Sequence, residues 1–166
     1  MANTTGKKIK DAAIIGGCAS LIYLTIGDIS YRLSLSRGGL NSKLITDMVA
    51  KSAAKKPKDE YKEKLDSMID DGADWFMHQD TEKIIIEKKH RLSLYADLIR
   101  PDKPSNVYII CIHGYTSSPA NMGIYAKKYH ELGYNVLLPS LRGHGDSEQD
   151  FITMGWNDRL DVIEWI

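Results

Sequence analysis

The chain of 166 residues suits one domain of ordinary size, and its composition, 43% apolar and 27% charged, is typical of a soluble globular protein. Its 22 basic and 22 acidic residues cancel, so no overall field attracts nucleic acid, and we expect no nucleic-acid partner. The two cysteines, Cys18 and Cys111, exclude a disulfide framework, and Cys111 is expected to be a small core hydrophobe. No His or Cys residues have metal-ligand spacing, so we expect no metal and no cofactor.

Residues 1–37 are predicted to form a basic flank and a membrane anchor. Lys7, Lys8 and Lys10 precede an uncharged, apolar segment at residues 12–27, as in signal peptides and N-terminal anchors. The segment is shorter than the roughly 20 residues that a full membrane span needs. No small-x-small cleavage site follows it, so we favour an uncleaved anchor with the rest of the chain outside the cytoplasm. A cleaved signal of a secreted protein and a buried helix of a cytoplasmic protein are the alternatives.

Residues 38–74 are predicted to be a linker region with two short helices. Apolar residues recur at helical spacing over residues 40–49, and a second helix is expected to open at Pro57 and stop at Gly72. The lysine-rich run at residues 55–58 between them is compatible with a membrane surface. We favour a solvated linker, because acidic residues follow at once.

The next segment predicts an antiparallel hairpin that opens a sheet. Residues 83–87 are strand-like, and residues 92–98 alternate between apolar and polar side chains, as in a half-buried strand. The apolar cluster at residues 75–77 precedes the hairpin. We expect it to pack under the sheet, because large aromatic side chains mostly serve as core.

Residues 107–139 predict a strand, a helix and a parallel strand. The run at residues 107–112 is continuously apolar and β-branched, which suits a strand buried on both faces of a parallel sheet. A helical pattern ends at Gly133, and residues 135–139 form the next strand. Function in such sheets lies beyond the carboxyl ends of the strands. We therefore expect an α/β fold, a mostly parallel sheet with flanking helices.

A last helical pattern covers residues 156–166 and reaches Ile166 without a terminating Gly, Asn or Pro. An apolar helix face that is still running at the last residue is expected for a truncated domain. In that case the strand at residues 107–112 becomes an exposed edge, and we expect the isolated chain to be marginally stable or prone to aggregation.

Three motifs together resemble the α/β-hydrolase superfamily, in its esterase and serine-aminopeptidase-like branch. Residues 113–118, HGYTSS, resemble its oxyanion loop, and residues 141–147, LRGHGDS, resemble the loop after the next strand. Residues 154–166 are similar to the helix before the nucleophile strand. The resemblance covers roughly residues 75–166 and implies the N-terminal half of that fold. Ser140 departs from the Asp that the family usually shows.

The resemblance implies that the Tyr115 backbone N–H is an oxyanion donor, on a tight turn that Gly114 permits. It also implies that two histidines brace the loops and are not catalytic bases, and that Asp146 is a cap or turn residue. The residues assigned to the structural loop motifs are His113, Gly114, Arg142, Gly143, His144 and Gly145.

The resemblance implies a serine hydrolase that cleaves ester, thioester or peptide bonds through an acyl-enzyme, with a small-molecule or peptide acyl substrate. Its nucleophile would lie in a G-x-S-x-G turn, and no such pentapeptide occurs in the 166 residues. We therefore expect an N-terminal fragment without nucleophile, acid and catalytic His, divided into regions 1–37, 38–74 and 75–166. The alternatives are an inactive remnant, an interaction protein, or one half of a split enzyme that a complementing chain completes.

Overall fold

The computed structural model describes residues 2–37, 47, 59–88 and 92–166. The predicted helix over residues 40–49 lies outside these ranges except for residue 47. The lysine-rich run at residues 55–58 and the turn of the hairpin at residues 89–91 also lie outside them.

Helix α1 spans Ala2–Leu35 and contains the whole segment predicted to be an anchor. Among the described residues, no helix has the length and apolar content needed to cross a membrane. The predicted anchor at residues 12–27 is therefore not supported. The location outside the cytoplasm stays a prediction.

Helix α2 spans Glu60–Met77 and begins where the Asp59 side chain accepts a hydrogen bond of 3.1 Å from the Tyr61 N–H. The prediction that Gly72 stops this helix is wrong, since α2 continues beyond it. Helix α2 also crosses the predicted boundary between residues 74 and 75, and the division into three regions stays a prediction.

Gly72 instead lets two helices touch through their backbones. Helix α3 spans Gly123–Glu131, and it follows a 3₁₀ turn at Pro119–Met122. A Cβ atom on Gly72 would lie 2.3 Å from the Ile124 nitrogen, and one on Gly123 would lie 2.0 Å from the Gly72 carbonyl oxygen. No side chain fits at this crossing, so α2 and α3 approach as closely as backbone permits.

The four-stranded sheet has the order β1-β2-β4-β3, with β1 at Glu82–Lys88, β2 at Leu92–Ile99, β3 at Tyr108–Ile110 and β4 at Asn135–Pro139. The predicted hairpin is confirmed, because β1 and β2 pair antiparallel. The β2–β4 pair is also antiparallel, and the β3–β4 pair is parallel. The sheet is therefore mixed and not mostly parallel over the described strands, because the opening hairpin reverses the chain.

Helices cover both faces of the sheet. On one face, Phe76 of α2 and Ala126 of α3 pack on the sheet, and Cys111 is buried there as expected. On the other face, Trp165 packs against a smaller cluster; it belongs to helix α4, which spans Asp158–Trp165. The core residues of the larger cluster are Phe76, Ile99, Cys111, Ala126, Val136 and Leu138.

Strand β3 is shorter and less buried than the sequence predicts. It is the last strand in the order, so it has one neighbour among the described strands. Tyr108 is 57% exposed and Ile112 is 43% exposed, so the prediction of burial on both faces is wrong. An apolar edge of this kind offers unpaired backbone groups to a further strand.

We expect the isolated chain to self-associate through β3, and Tyr108→Lys to reduce that association by placing a charge on the edge. Sedimentation velocity over a concentration series measures the effect. Tyr125→Lys is the matched control, since Tyr125 is also 57% exposed but lies on α3. A monomeric parent, or an equal effect of the two lysines, would contradict the prediction.

We expect Gly72→Ala to lower the free energy of unfolding by about 1–3 kcal/mol, because the added methyl group overpacks a backbone contact. Urea unfolding measures the change. Gly27→Ala in α1 is the control, since nothing lies within 4 Å of a Cβ atom at that position. The explanation fails if the two alanines have the same effect.

Candidate functional site

Two loops lie beyond the carboxyl ends of the neighbouring strands β3 and β4, at residues 111–118 and 140–153. The second loop turns at two glycines with left-handed backbone, Gly143 with φ of 71° and Gly145 with φ of 48°. A Cβ atom on Gly143 would lie 2.9 Å from the Phe151 carbonyl oxygen. Both the backbone angle and the close approach therefore require glycine there.

Two buried histidines hold these loops together by hydrogen bonds that cross between them. The Leu141 N–H donates to His113 Nε2 at 3.1 Å, and the Thr116 N–H donates to His144 Nε2 at 3.2 Å. The two imidazole rings meet edge to face with centroids 4.9 Å apart. Each loop thus supplies a ring to the other loop's backbone; we call this arrangement the histidine brace.

The second ring nitrogen of each histidine is also occupied. His113 Nδ1 lies 2.9 Å from the Gly114 carbonyl oxygen, and His144 Nδ1 lies 2.9 Å from the Arg142 carbonyl oxygen. Because Nε2 accepts, the network assigns the proton of each neutral ring to Nδ1. Burial, mainly, lowers the pKa of His113 and favours this neutral form. Neither ring has a free nitrogen for proton transfer to a substrate.

A buried ion pair attaches α4 to the second loop. The Arg142 guanidinium donates to both carboxylate oxygens of Asp161, at 2.6 and 2.7 Å, and the Lys88 ammonium contacts the same carboxylate. Burial acts to raise the pKa of Asp161, but the hydrogen bonds and charges of Arg142 and Lys88 outweigh it and hold the pKa below its usual range. The carboxylate therefore stays charged and paired at neutral pH.

The Asp158 side chain holds the segment that precedes α4 in place by hydrogen bonds. Its carboxylate accepts hydrogen bonds from the Thr153 hydroxyl at 2.6 Å and from the Gly155 N–H at 2.8 Å, and the Arg142 N–H lies 3.3 Å away. Asp158 and Asp161 were not among the residues singled out from the sequence. Their spacing of three within a predicted helix was the available signal, since such a pair lies on one helix face.

The remaining polar residues of the second loop are structural. Ser147 is completely buried; its hydroxyl donates to the Ser140 carbonyl oxygen at 2.6 Å and accepts from the Tyr95 N–H at 2.9 Å. Asp146 lies in the turn that the Ser147 N–H closes on the His144 carbonyl oxygen at 3.1 Å, as expected, and its carboxylate also pairs with Lys83 of β1 at 2.8 Å. Neither side chain is placed to attack a substrate.

A cavity of about 580 Å³ opens between the first loop and α4. The Tyr115 N–H, on the rim of this cavity, has no hydrogen-bond acceptor among the described residues. Its neighbour in the chain, Thr116, is fixed by the histidine brace. The residues that line the cavity include Ile112, His113, Gly114, Tyr115, Leu141, His144, Ile152, Met154, Gly155, Asp158, Arg159 and Val162.

The prediction that the tight turn of the first loop requires glycine at position 114 is wrong. A Cβ atom on Gly114 would meet nothing within 4 Å, and its φ is not positive. The left-handed residue of the first loop is Thr116, with φ of 55°. The turn is therefore set at Thr116, whose N–H the histidine brace holds, and Gly114 leaves open space on the cavity side.

Comparisons with known proteins find relatives of part of the chain. No family model matches it. A thermostable monoacylglycerol lipase from Bacillus sp. (strain H-257) is 34% identical over 58 residues, which are 35% of this chain and 23% of the lipase. An esterase structure from Pyrococcus furiosus has 28% identity and a TM-score of 0.47, covering 54% of this chain and 36% of the esterase. Acetyl xylan esterase 1 from Thermoanaerobacterium sp. JW/SL YS485 has 18% identity and a TM-score of 0.33, covering 51% and 32%. The chain thus spans about a quarter of the lipase's length and about a third of the two esterases'.

We expect the free energy of unfolding to fall as the pH drops below about 6.5, the ordinary pKa of histidine. Folding lowers the pKa of His113, so below that pH the unfolded chain binds the proton more tightly than the folded chain does. The slope is at most about 1.4 kcal/mol per pH unit for one proton. Urea unfolding between pH 5 and 7.5 measures it in the parent and in His113→Gln.

His78→Gln is the control for this measurement, since the His78 side chain is 74% exposed on the C-terminal end of α2. His113→Gln is expected to flatten the dependence and His78→Gln to leave it unchanged. Parallel curves for the parent and His113→Gln would show that His113 does not carry the effect.

Proposed function

Because part of this chain belongs to the α/β-hydrolase superfamily, we propose that it supplies the oxyanion side of a serine hydrolase that cleaves small-molecule esters. The similar protein from Bacillus is a lipase of monoacylglycerol, which is an ester. Ester hydrolysis by a serine enzyme passes through a tetrahedral intermediate with a negatively charged oxygen. The chemistry therefore needs N–H donors that are already in place when that charge develops.

The unpaired Tyr115 N–H at the cavity rim is the observation that carries the proposal. Tyr115 is 42% exposed, so water can solvate its N–H, and an N–H that no protein acceptor occupies is available to a ligand oxygen. Loss of one oxyanion donor typically costs about 3–4 kcal/mol of transition-state stabilisation. In this proposal the histidine brace fixes the next residue, Thr116, so that the donor needs no reorganisation during the reaction.

The nucleophile, the acid and the catalytic His come, in this proposal, from outside the 166 residues, either from a continuation of the chain or from a second chain. Within these residues no G-x-S-x-G turn occurs. Both ring nitrogens of His113 and of His144 already bind backbone groups, which argues against either as the base. A serine without a base in hydrogen-bond reach is a weak nucleophile.

A non-catalytic interaction role is the second candidate, and the exposed β3 edge favours it. Tyr108 of β3 is 57% exposed, and the strand has one described neighbour. A protein that binds by strand addition needs such an edge and needs no oxyanion donor. The two candidates therefore differ in whether the Tyr115 N–H matters.

The test is to read the coding sequence after residue 166 in all three frames and to express the continuous product with any G-x-S-x-G turn found there. Hydrolysis of p-nitrophenyl butyrate is then compared between Tyr115→Pro, which removes the N–H, and Tyr115→Ala, which keeps it. We expect kcat/KM of the proline variant to be about 10²–10³-fold below that of the alanine variant, the usual loss for one oxyanion donor. Thermal melting of the two variants checks that both fold.

Equal activities of two folded variants would overturn the role of the Tyr115 N–H. Ester hydrolysis by the 166-residue chain alone, with one of its serines labelled by a fluorophosphonate probe, would overturn the proposal that the nucleophile lies elsewhere. A coding sequence without a G-x-S-x-G turn, together with binding of a strand peptide at β3, would favour the interaction role.

A further inference from the structure

Residues 34–37, at the end of α1 and just after it, lie across the segment that forms one wall of the cavity. We call these residues the strap. The Ile152 N–H donates to the Leu35 carbonyl oxygen at 2.6 Å, and the Arg37 N–H donates to the Asp150 carbonyl oxygen at 2.8 Å. An antiparallel bridge between Ser36 and Phe151 lies between these two bonds. Since Ile152 lines the cavity, the strap holds that wall through backbone hydrogen bonds.

The strap also binds Tyr115, which lines the same cavity. The Tyr115 hydroxyl donates a hydrogen bond to the Ser34 carbonyl oxygen. The side chain of the residue that carries the unpaired N–H is thus tied to the same four residues that hold Ile152. Tyr115 and Ile152 are far apart in sequence, and both are bound by the strap.

Arg37 fastens the strap to the second loop. Its guanidinium donates to the Gly145 carbonyl oxygen at 2.6 Å and to the Ser147 carbonyl oxygen at 3.1 Å. Ser147 is fully buried and is bound through its hydroxyl to the N–H of Tyr95 in β2. Arg37 therefore connects the strap to a point that is rigidly attached to the sheet.

Arg32, five residues earlier and within α1, has a different environment. Its guanidinium binds Asp28 of the same helix at 2.7 Å, and both side chains are more than half exposed. Such an exposed pair contributes little to stability. The contrast shows that the contacts of Arg37 with the loop come from its position and not from its residue type.

We propose that the strap positions the oxyanion loop, and that Arg37 is the positioning residue. The inference rests on the proposed role of the Tyr115 N–H for its catalytic meaning. Arg37 does not line the cavity; it acts through the strap, which sets the positions of two residues that do, Tyr115 and Ile152. Loss of Arg37 should make Tyr115 and Ile152 more mobile together while the sheet stays intact.

Amide hydrogen exchange of the 166-residue chain carrying Tyr108→Lys, which is expected to reduce its self-association, tests this inference by NMR without catalysis. In Arg37→Ala we expect the Ile152 and Thr116 amides to exchange about tenfold faster, because the lost hydrogen bonds make local opening easier. The amides of β2 should keep their rates. Arg32→Ala, the matched control, should leave all of these rates unchanged.

Unchanged rates at Ile152 and Thr116 would overturn the inference, and so would a uniform increase that includes β2, since that indicates a loss of global stability. Tyr115→Phe provides a second variant if Arg37→Ala does not fold. It removes only the hydroxyl bond to Ser34 and should speed exchange at Thr116 while sparing β2. No change at Thr116 in a folded Tyr115→Phe chain would also count against the strap.

A catalytic readout separates positioning from a structural role in the ester-cleaving product. There, Arg37→Ala is expected to lower kcat with KM nearly unchanged. Arg37→Lys is expected to restore part of the loss, because a single ammonium group replaces the two guanidinium nitrogens that donate to the loop carbonyl oxygens. If Tyr115→Pro and Tyr115→Ala are equally active, the proposed function fails while the exchange result stands. If the exchange result fails, the oxyanion role of Tyr115 is unaffected.

Discussion

The histidine brace is the interaction on which the geometry of the candidate site depends. His113 belongs to the loop after β3 and His144 to the loop after β4, and each accepts a hydrogen bond from the backbone of the other loop. Both rings are buried, so these bonds form where water does not compete for them. A neutral ring with both nitrogens engaged is a rigid spacer. The brace therefore turns two loops, which are ordinarily mobile, into one unit at the end of the parallel strand pair.

Two further connections fix that unit to the body of the fold. The Arg142–Asp161 ion pair attaches it to α4 by two parallel hydrogen bonds, a geometry in which the partner charges offset much of their own desolvation. The buried Ser147 hydroxyl attaches it to β2. The strap then adds a contact from α1. Within the described residues, these connections hold the two loops and α4, which together line one cavity, and the Tyr115 N–H on its rim is left without a protein partner.

The fold leaves an apolar edge next to this cavity. Strand β3 has β4 on one side, and Tyr108 of β3 is exposed. The edge strand and the unpaired N–H are alike in one respect. Both present backbone hydrogen-bonding groups that are held in place and are available to a partner from outside the described residues. A continuation or a second chain that adds a strand at β3 would also come close to the oxyanion loop. This placement links the proposed hydrolase activity with the expected self-association of the isolated chain.

The sequence alone determined the local elements and the loops that matter. Alternation over residues 92–98 predicted the hairpin, the apolar runs predicted the parallel strand pair, and the HGYTSS and LRGHGDS motifs identified the site loops. Only the tertiary structure decided the contacts between distant residues. Glycine as a signal for a helix C-terminus predicted a stop at Gly72, but packing against Gly123 requires glycine inside the helix. The pairs His113 with Leu141, Arg142 with Asp161, and Arg37 with Gly145 have no local sequence pattern, because each forms when the sheet brings separate segments together.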